Sequence, residues 1–437
     1  MRTRSSFALG FLALIAFGAL VLACPFSRAD GAAGNFGAAV FTACSAVCVT
    51  GLTVVDIAQE YSTVGQVVIM CLVELGCLGL MTCGTFFLVA IGRRLSLARE
   101  FTLMNAYGVE QVQGLRGLIC WVVGSMLVIE SAFAGLLYMH FGSWYESVFY
   151  SIMSFCNAGF GLKADSLATF PRGWPVIAMG VETILGGIGF LVIYNLCTFK
   201  FLHRSSGARG RLSLHTRVVL RFTAYLLALT FLAFLAIEWN HALKDEACLV
   251  DKLVVGFYQA VTPRTCGFCV IATEKLHSLT RLVYEFLMFV GGAPGSAAAG
   301  MKVTTLAVII YTTTAMCRGE PETVIDRRTI PTEIVRESLV ILMALVMFSA
   351  VVTGALFVTE AGSGIASDAI FFEAVSAVTT TGLSVGDTTQ SLSGAGRVVV
   401  MIAMFIGRLG ALTVVLMIGD RESKKHVRFP TEELVVG

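Results

Sequence analysis

Eight long apolar runs, separated by short polar connections, dominate the chain. They cover roughly Phe7–Cys24, Val64–Ile91, Gly117–His140, Pro175–Cys197, Val218–Ile237, Leu282–Met316, Ile334–Val358 and Val398–Ile418. Each is long enough to cross the ~30 Å hydrocarbon core of a bilayer as a helix. Inside each consecutive pair lies a short amphipathic stretch with aromatics, such as Trp144–Cys156 and Asp368–Thr379. These are too short to span and are predicted as half-helices that enter and return.

Each short stretch leads into a small, hydroxyl-rich segment ending at glycine. The four are Ser45-Ala-Val-Cys-Val-Thr-Gly-Leu-Thr53, Ser154-Phe-Cys-Asn-Ala-Gly-Phe-Gly161, Ala260-Val-Thr-Pro-Arg-Thr-Cys-Gly-Phe268 and Ser376-Ala-Val-Thr-Thr-Thr-Gly-Leu-Ser384. Their glycines, Gly51, Gly159, Gly267 and Gly382, follow one another at 108, 108 and 115 residues. Near-constant spacing over the whole length marks an internal repeat. The predicted fold is an all-α membrane protein of four helix–pore-loop–helix repeats, with eight transmembrane helices around a central pore. The repeats are placed at 1–92, 117–198, 215–316 and 332–419, followed by a tail at 420–437.

Composition agrees with that placement. The chain is 56% hydrophobic and 14% charged, against about a quarter charged in soluble proteins. No basic stripe interleaved with aromatics points to a nucleic-acid partner. Most of the 13 cysteines, among them Cys71, Cys77, Cys83, Cys120 and Cys197, fall in apolar runs, where they act as small hydrophobes. Cys266 and Cys269 have C-x-x-C spacing but lack the βαβ context of a redox motif. Six scattered histidines build no metal site. The Gly-rich run at 291–300 follows no strand, so a nucleotide site on this chain is not expected. No convergent acid, nucleophile and metal set suggests an enzyme.

The first 24 residues carry Arg2, Arg4, an apolar core and Val21-Leu22-Ala23-Cys24, the features of a secretory or lipoprotein signal. Removing them would leave the first repeat without its leading helix, so retention is expected. Eight spans put both termini on one side. The connections on that side hold 20 Lys and Arg, those on the other side eight, and three of the 31 lie at membrane depth. The positive-inside rule then makes both termini cytoplasmic and turns the glycine segments outward.

Non-helical backbone within a membrane is tolerated where it is buried in protein or lines a watery path. Four such segments around one axis could aim carbonyl dipoles at a common centre and replace the hydration shell of an alkali cation. Glycine permits the turns that a Cβ would obstruct. The preceding half-helix brings its negative end to the same place. Two further features stand out. Gly291-Gly-Ala-Pro-Gly-Ser-Ala-Ala-Ala-Gly-Met-Lys302 interrupts the third trailing run, at about 1 kcal/mol per glycine and about 3 per interior proline. Arg408 stands in the apolar stretch Gly407-Arg-Leu-Gly-Ala-Leu-Thr413, where a charge costs several kcal/mol unless paired or hydrated. Glu74, Glu130 and Glu182 are also intramembrane; they either pair structurally or hold a coupling ion.

The segments Val49-Thr50-Gly51-Leu52, Asn157-Ala158-Gly159-Phe160, Arg264-Thr265-Cys266-Gly267-Phe268 and Thr380-Thr381-Gly382-Leu383 resemble the four degenerate filter sequences of the Trk/Ktr/HKT superfamily of potassium transporters. The KtrB-type membrane subunits are the most similar group. The resemblance runs from the first helix to the C-terminus. It implies a K+ filter made by Val49, Thr50, Gly51, Asn157, Ala158, Gly159, Thr265, Cys266, Gly267, Thr380, Thr381 and Gly382. All four glycines are present, which in this superfamily goes with potassium rather than sodium. It also implies an intramembrane gating loop at 291–302, with Gly291, Gly292, Gly295, Gly300 and Lys302, and places Arg408 beside it. A cytosolic nucleotide-binding ring of the KtrA type is the implied partner, docking on the basic loops at 199–221 and 317–336. The tail Phe429-Pro-Thr-Glu-Glu-Leu-Val-Val-Gly437 resembles tails at a homodimer interface. The implied location is the plasma membrane, with K+ the cargo and Na+ an activating or coupling ion. The competing expectation is a relative that prefers Na+ or works as an H+ or Na+ symporter.

Overall fold

The computed structural model describes residues 2–32, 34–90, 115–163, 166–197, 212–246 and 248–410. Four long helices lead the four repeats: α1 (Arg2–Ala23), α4 (Leu115–Phe141), α8 (Leu214–Glu238) and α12 (Thr332–Thr359). Each is followed by a short helix: α2 (Phe36–Val47), α5 (Trp144–Phe155), α9 (Leu249–Val261) and α13 (Ser367–Thr379). These have 12 or 13 residues, about 18–20 Å at 1.5 Å per residue. That is well short of a bilayer core. The trailing elements are α3 (Thr63–Ala90), α6 (Trp174–Ile188) with α7 (Phe190–Cys197), α10 (Ser278–Met288) with α11 (Val303–Cys317), and α14 (Gly394–Leu409).

Three described helices, Cys120–Phe141, Leu214–Glu238 and Thr332–Thr359, are long and apolar enough to cross a membrane unaided. The bent pair α6–α7 makes a fourth when counted as one span. Their outer faces carry exposed Val128, Met139, Leu229, Leu232, Met343, Met347 and Val351, surface that lipid rather than water would cover. The core lies on the opposite side, around the short helices. Ala43, Ala46, Phe149, Met153, Val255, Tyr258, Ala374 and Val375 are fully enclosed there.

Local chemistry sets where the helices begin. Asn35 caps α2 by accepting from Gly37 N at 2.9 Å, and Ser213 caps α8 by accepting from Thr216 N at 3.1 Å. Two leading helices end on an acid that ties down the start of their own trailing helix. Glu238, wholly buried, accepts from His277 N at 2.8 Å and from the Thr280 hydroxyl at 2.5 Å. Glu360 accepts from Ser393 N at 3.2 Å and from its hydroxyl at 2.6 Å. Both carboxylates face the positive end of a helix dipole. A short hairpin, β1 (Val324–Ile325) and β2 (Arg328–Thr329), links the third and fourth repeats. Arg217 and Arg221 of α8 hold its turn residue Asp326, each at 3.0 Å.

The trailing elements depart from the sequence expectation. A break is predicted only in the third; it occurs in the first three, and in the fourth the last described residue takes the same backbone conformation. Gly79 (φ 70°) kinks α3, Gly189 (φ 90°) turns α7 by 95° from α6, and Gly410 (φ 84°) caps α14, with the rest of the predicted run to Ile418 outside the described residues. In the third, Gly295 (φ 71°) lies inside the unwound stretch. These glycines stand 28, 30, 28 and 28 residues beyond Gly51, Gly159, Gly382 and Gly267 respectively, so the interruption is itself part of the repeat. A lone glycine in a helical pattern costs too little to mark a break in sequence. The expected C-terminal tail and most of the 199–221 loop lie outside the described residues.

Candidate functional site

Each short helix ends in the same backbone figure. The residue two before the glycine adopts the left-handed conformation: Val49 (φ 53°), Asn157 (φ 57°), Thr265 (φ 64°) and Thr380 (φ 50°). The glycine follows, also at positive φ, at 92°, 71°, 81° and 83° in chain order. Three of the four left-handed residues are β-branched, a conformation that costs of order 1–2 kcal/mol. Such strain persists only where the surroundings enforce it, and it collects at functional sites. In three repeats a matching pair of hydrogen bonds closes the helix end. Val49 N reaches Ala46 O at 3.0 Å and Thr50 N reaches Ser45 O at 2.9 Å. The equivalents are Asn157 and Ala158 on Ser154 and Met153, and Thr380 and Thr381 on Ala377 and Ser376.

The four segments meet in a closed ring. A Cβ added to Gly51 would collide with Ala158 O, and one on Gly159 would lie 2.9 Å from Cys266 O. One on Gly267 would lie 2.9 Å from Thr381 O, and one on Gly382 would collide with Thr50 O. The sequence of neighbours runs first to second, second to third, third to fourth, and back to first. Each seam therefore sets a glycine against the carbonyl that precedes the next glycine. The hydroxyls of Thr50, Thr265 and Thr380 are buried beside this ring without a hydrogen-bond partner.

A brace behind the ring escapes a reading of single motifs. Nine residues before the four glycines stand Thr42, Tyr150, Tyr258 and Glu373. Tyr150 Oη accepts from Leu162 N at 3.2 Å, and Tyr258 Oη lies 3.6 Å from Cys266 Sγ. The carboxylate of Glu373, wholly buried, accepts from Ser384 at 2.8 Å and from Thr389 at 2.5 Å. Short helix and outgoing segment are thus stitched together in the second and fourth repeats. Registering the repeats against one another would have picked out Glu373.

Below the ring, the stretch 291–302 is a compact, tied loop. Its neck is closed by Gly291 N to Met301 O (3.0 Å), Met301 N to Phe289 O (2.9 Å) and Val303 N to Gly292 O (3.0 Å). Gly295 and Gly300 (φ 68°) take positive φ within it. Three bonds pin the loop to the bend of the second repeat: Ala293 N to Gly187 O (2.9 Å), Ala297 N to Gly186 O (3.2 Å) and Phe190 N to Gly295 O (3.1 Å). In a straight helix Phe190 N would instead bond Gly186 O, so the bend at Gly189 releases the groups that hold the loop. Arg408 donates to Ala297 O and to Gly76 O, each at 2.7 Å, and joins the loop to the first trailing helix. Lys302 Nζ donates to Ala298 O at 2.7 Å. Among the described residues neither cation has an acid partner.

The intramembrane acids lie elsewhere. Glu182 Oε1 accepts from Ser151 Oγ at 2.5 Å, and Ser151 also reaches the Glu130 carbonyl at 2.8 Å. Glu74, on α3, lies within hydrogen-bonding reach of the Glu130 side chain. Among the described residues no cluster of His, Cys, Asp or Glu is arranged to hold a metal ion. Cys266 and Cys269 are both free thiols.

Fold and site together define a class: a helical membrane protein in which four glycine segments meet in a ring of backbone contacts. The sequence model of the TrkH family, described as cation transport protein, matches residues 17–427. The chain is 33% identical to the potassium/sodium uptake protein NtpJ of Enterococcus hirae, across 98% of this chain and 96% of that protein. It is equally 33% identical to the Ktr system potassium uptake protein B of Bacillus subtilis, with the same coverage. Its fold matches the crystal structure of the potassium transporter TrkH from Vibrio parahaemolyticus with a TM-score of 0.73 at 17% identity. That match covers 95% of this chain and 84% of the other. The chain belongs to the TrkH family of cation transport proteins. It is a multi-pass membrane transporter and not an enzyme.

Proposed function

We propose that this chain is the ion-conducting subunit of a Trk/Ktr-type potassium uptake system. The observation that carries the reading is the ring of four equivalent glycine turns, closed from first to fourth and back. In this reading Val49, Thr50, Gly51, Asn157, Ala158, Gly159, Thr265, Cys266, Gly267, Thr380, Thr381 and Gly382 form the filter. Their carbonyls take the place of water around a dehydrated K+. The negative ends of α2, α5, α9 and α13 favour a cation at the same centre. The eight predicted spans are then the leading and trailing elements of four repeats, several of them broken by glycine.

The loop 291–302, with Gly291, Gly292, Gly295, Gly300 and Lys302, is the gate, and Arg408 is its latch. Latch and loop share hydrogen bonds that must break for the loop to leave the pathway. Regulation falls to a cytosolic nucleotide-binding ring docking on the basic inner surface, where the Asp326 clamp leaves Arg327 and Arg328 exposed. Homodimer formation through the tail at 429–437, both termini in the cytoplasm and a plasma-membrane location complete the reading.

Complementation of cells lacking potassium uptake tests it, at limiting K+ and with and without a co-expressed cytosolic ring. The wild-type chain restores growth, and the double variant Gly159→Ser/Gly382→Ser does not; full growth with the double variant would sink the proposal. Sodium as the preferred cargo is the alternative, supported by the potassium/sodium uptake protein among the relatives. Competition of Na+ against K+ uptake decides between them.

A further inference from the structure

Three cationic side chains, Lys302 of the loop itself and Arg264 and Arg408 from neighbouring elements, donate to carbonyls of the loop beneath the glycine ring. Arg408 takes Ala297 and Lys302 takes Ala298; Arg264 Nη2 takes Gly291, at the neck, at 3.3 Å. The gating role proposed above uses the first two and leaves Arg264 without a task. Its guanidinium is buried, its Nε has no hydrogen-bond partner, and among the described residues no acid pairs with it. A buried unpaired charge is expensive, and an apolar side chain of similar volume would fill the space at lower cost.

The repeat explains why an arginine stands there. Three residues before the glycine, the other segments carry Cys48, Cys156 and Thr379. In those repeats the end of the short helix rests directly on the trailing helix. The carbonyls of Val47, Phe155 and Val378 press on Gly76, Gly186 and Gly407, where any Cβ would collide. The third trailing element is unwound at the matching place, and Thr265 follows a different helix closure, with Cys266 N on Thr262 O at 3.1 Å. A long, forked donor reaches across to Gly291 O where the backbone contact is missing. Arg264 also borders, with Asn157, Thr183, Gly187 and Gly292, a cavity of ≈ 10 Å³, room for about one water. That seam therefore joins the second glycine segment, the bend of the second repeat and the neck of the loop.

We propose that Arg264 is a positioning residue that couples the third glycine segment to the neck of the intramembrane loop, so that the state of the loop sets the geometry of the cation-selecting ring. This rests on the conduction reading above. The test uses the full chain in proteoliposomes, with radioactive rubidium uptake measured against K+ and Na+ as competitors. Arg264→Met removes the donor together with the buried charge. It is expected to keep normal membrane abundance while the preference for K+ over Na+ falls about tenfold, the loss expected for one charged hydrogen bond. Arg264→Lys keeps one donor and the charge but loses the fork, and is expected to lower the preference about threefold, between Arg264→Met and wild type.

A merely structural role predicts lower abundance with unchanged preference in whatever protein remains, and that result would overturn the proposal. Should Arg264→Met fail to accumulate, Arg264→Lys carries the test: a partial loss of preference supports the coupling, and a wild-type ratio rejects it. Gly159→Ser/Gly382→Ser is run in parallel. If it retains normal uptake, the conduction reading falls and takes the coupling with it. If it abolishes uptake while Arg264→Met selects K+ as well as wild type, the coupling alone is wrong.

Discussion

The first, second and fourth repeats join their two helices differently from the third, and the difference falls at the loop proposed above as the gate. In the three, a carbonyl at the end of the short helix sits on a glycine of the trailing helix, backbone against backbone. Such a contact has no side chain to rotate and little room to adjust. In the third, the trailing element is unwound from 291 to 302 and is held by side-chain donors and loop hydrogen bonds. Hydrogen bonds of this kind contribute about 0.5–3 kcal/mol each, so they can be exchanged one set for another. Three junctions are therefore made by backbone contact and the fourth by side-chain and loop hydrogen bonds, the difference on which the proposed gating depends.

The largest effect should come from breaking the ring itself. Gly382→Ala introduces a Cβ that collides with Thr50 O at φ 83°. With strain of ~2–3 kcal/mol or more, uptake should fall by roughly a hundredfold. Gly354→Ala, in α12 with no atom within reach of a new Cβ, is the control and should transport normally. Equal uptake by the two variants would remove the ring from the pathway.

Breaking a rigid junction comes next. Gly407→Ala drives a methyl into Val378 O, with an overpacking cost of about 1–3 kcal/mol. Both thermal stability in detergent and uptake should drop, and a change in neither would show that this junction yields as easily as the third repeat. Releasing the soft junction should do the opposite to activity. Arg408→Gln loses the charged donors to Ala297 O and Gly76 O, so uptake without the cytosolic ring should rise about tenfold at normal abundance. Unchanged, tightly regulated uptake would clear Arg408 of the latch role. The smallest effect belongs to a junction remote from the axis. Glu360→Gln weakens the anchor on Ser393 by about 1 kcal/mol. It should lower the thermal midpoint by ~2–4 °C and leave K+ preference untouched.

Much of the architecture was legible from residue order. Four apolar pairs, four glycine segments at near-equal spacing and two anomalies, the run at 291–302 and Arg408, can be read because each departs from what a spanning helix tolerates. In the structure the chain is unwound between Met288 and Val303, and the short helices end at Val47, Phe155, Val261 and Thr379. Less visible were Gly79, Gly189 and Gly410, since single glycines are common in membrane helices and only a neighbour decides whether the backbone bends. Glu373 and Arg264 were hidden for another reason. Each is one charged residue in an apolar or hydroxyl-rich stretch, and its meaning depends on a partner at Ser384 and Thr389 or at Gly291.

Local sequence marked the long apolar runs, the stretches too short to span and the four glycine segments between them, because those follow from apolar length and from spacing. It could not settle which carbonyl faces which glycine. That pairing is made between segments more than a hundred residues apart, and only packing four repeats around one axis brings Thr50 against Gly382 and Arg408 against Ala297.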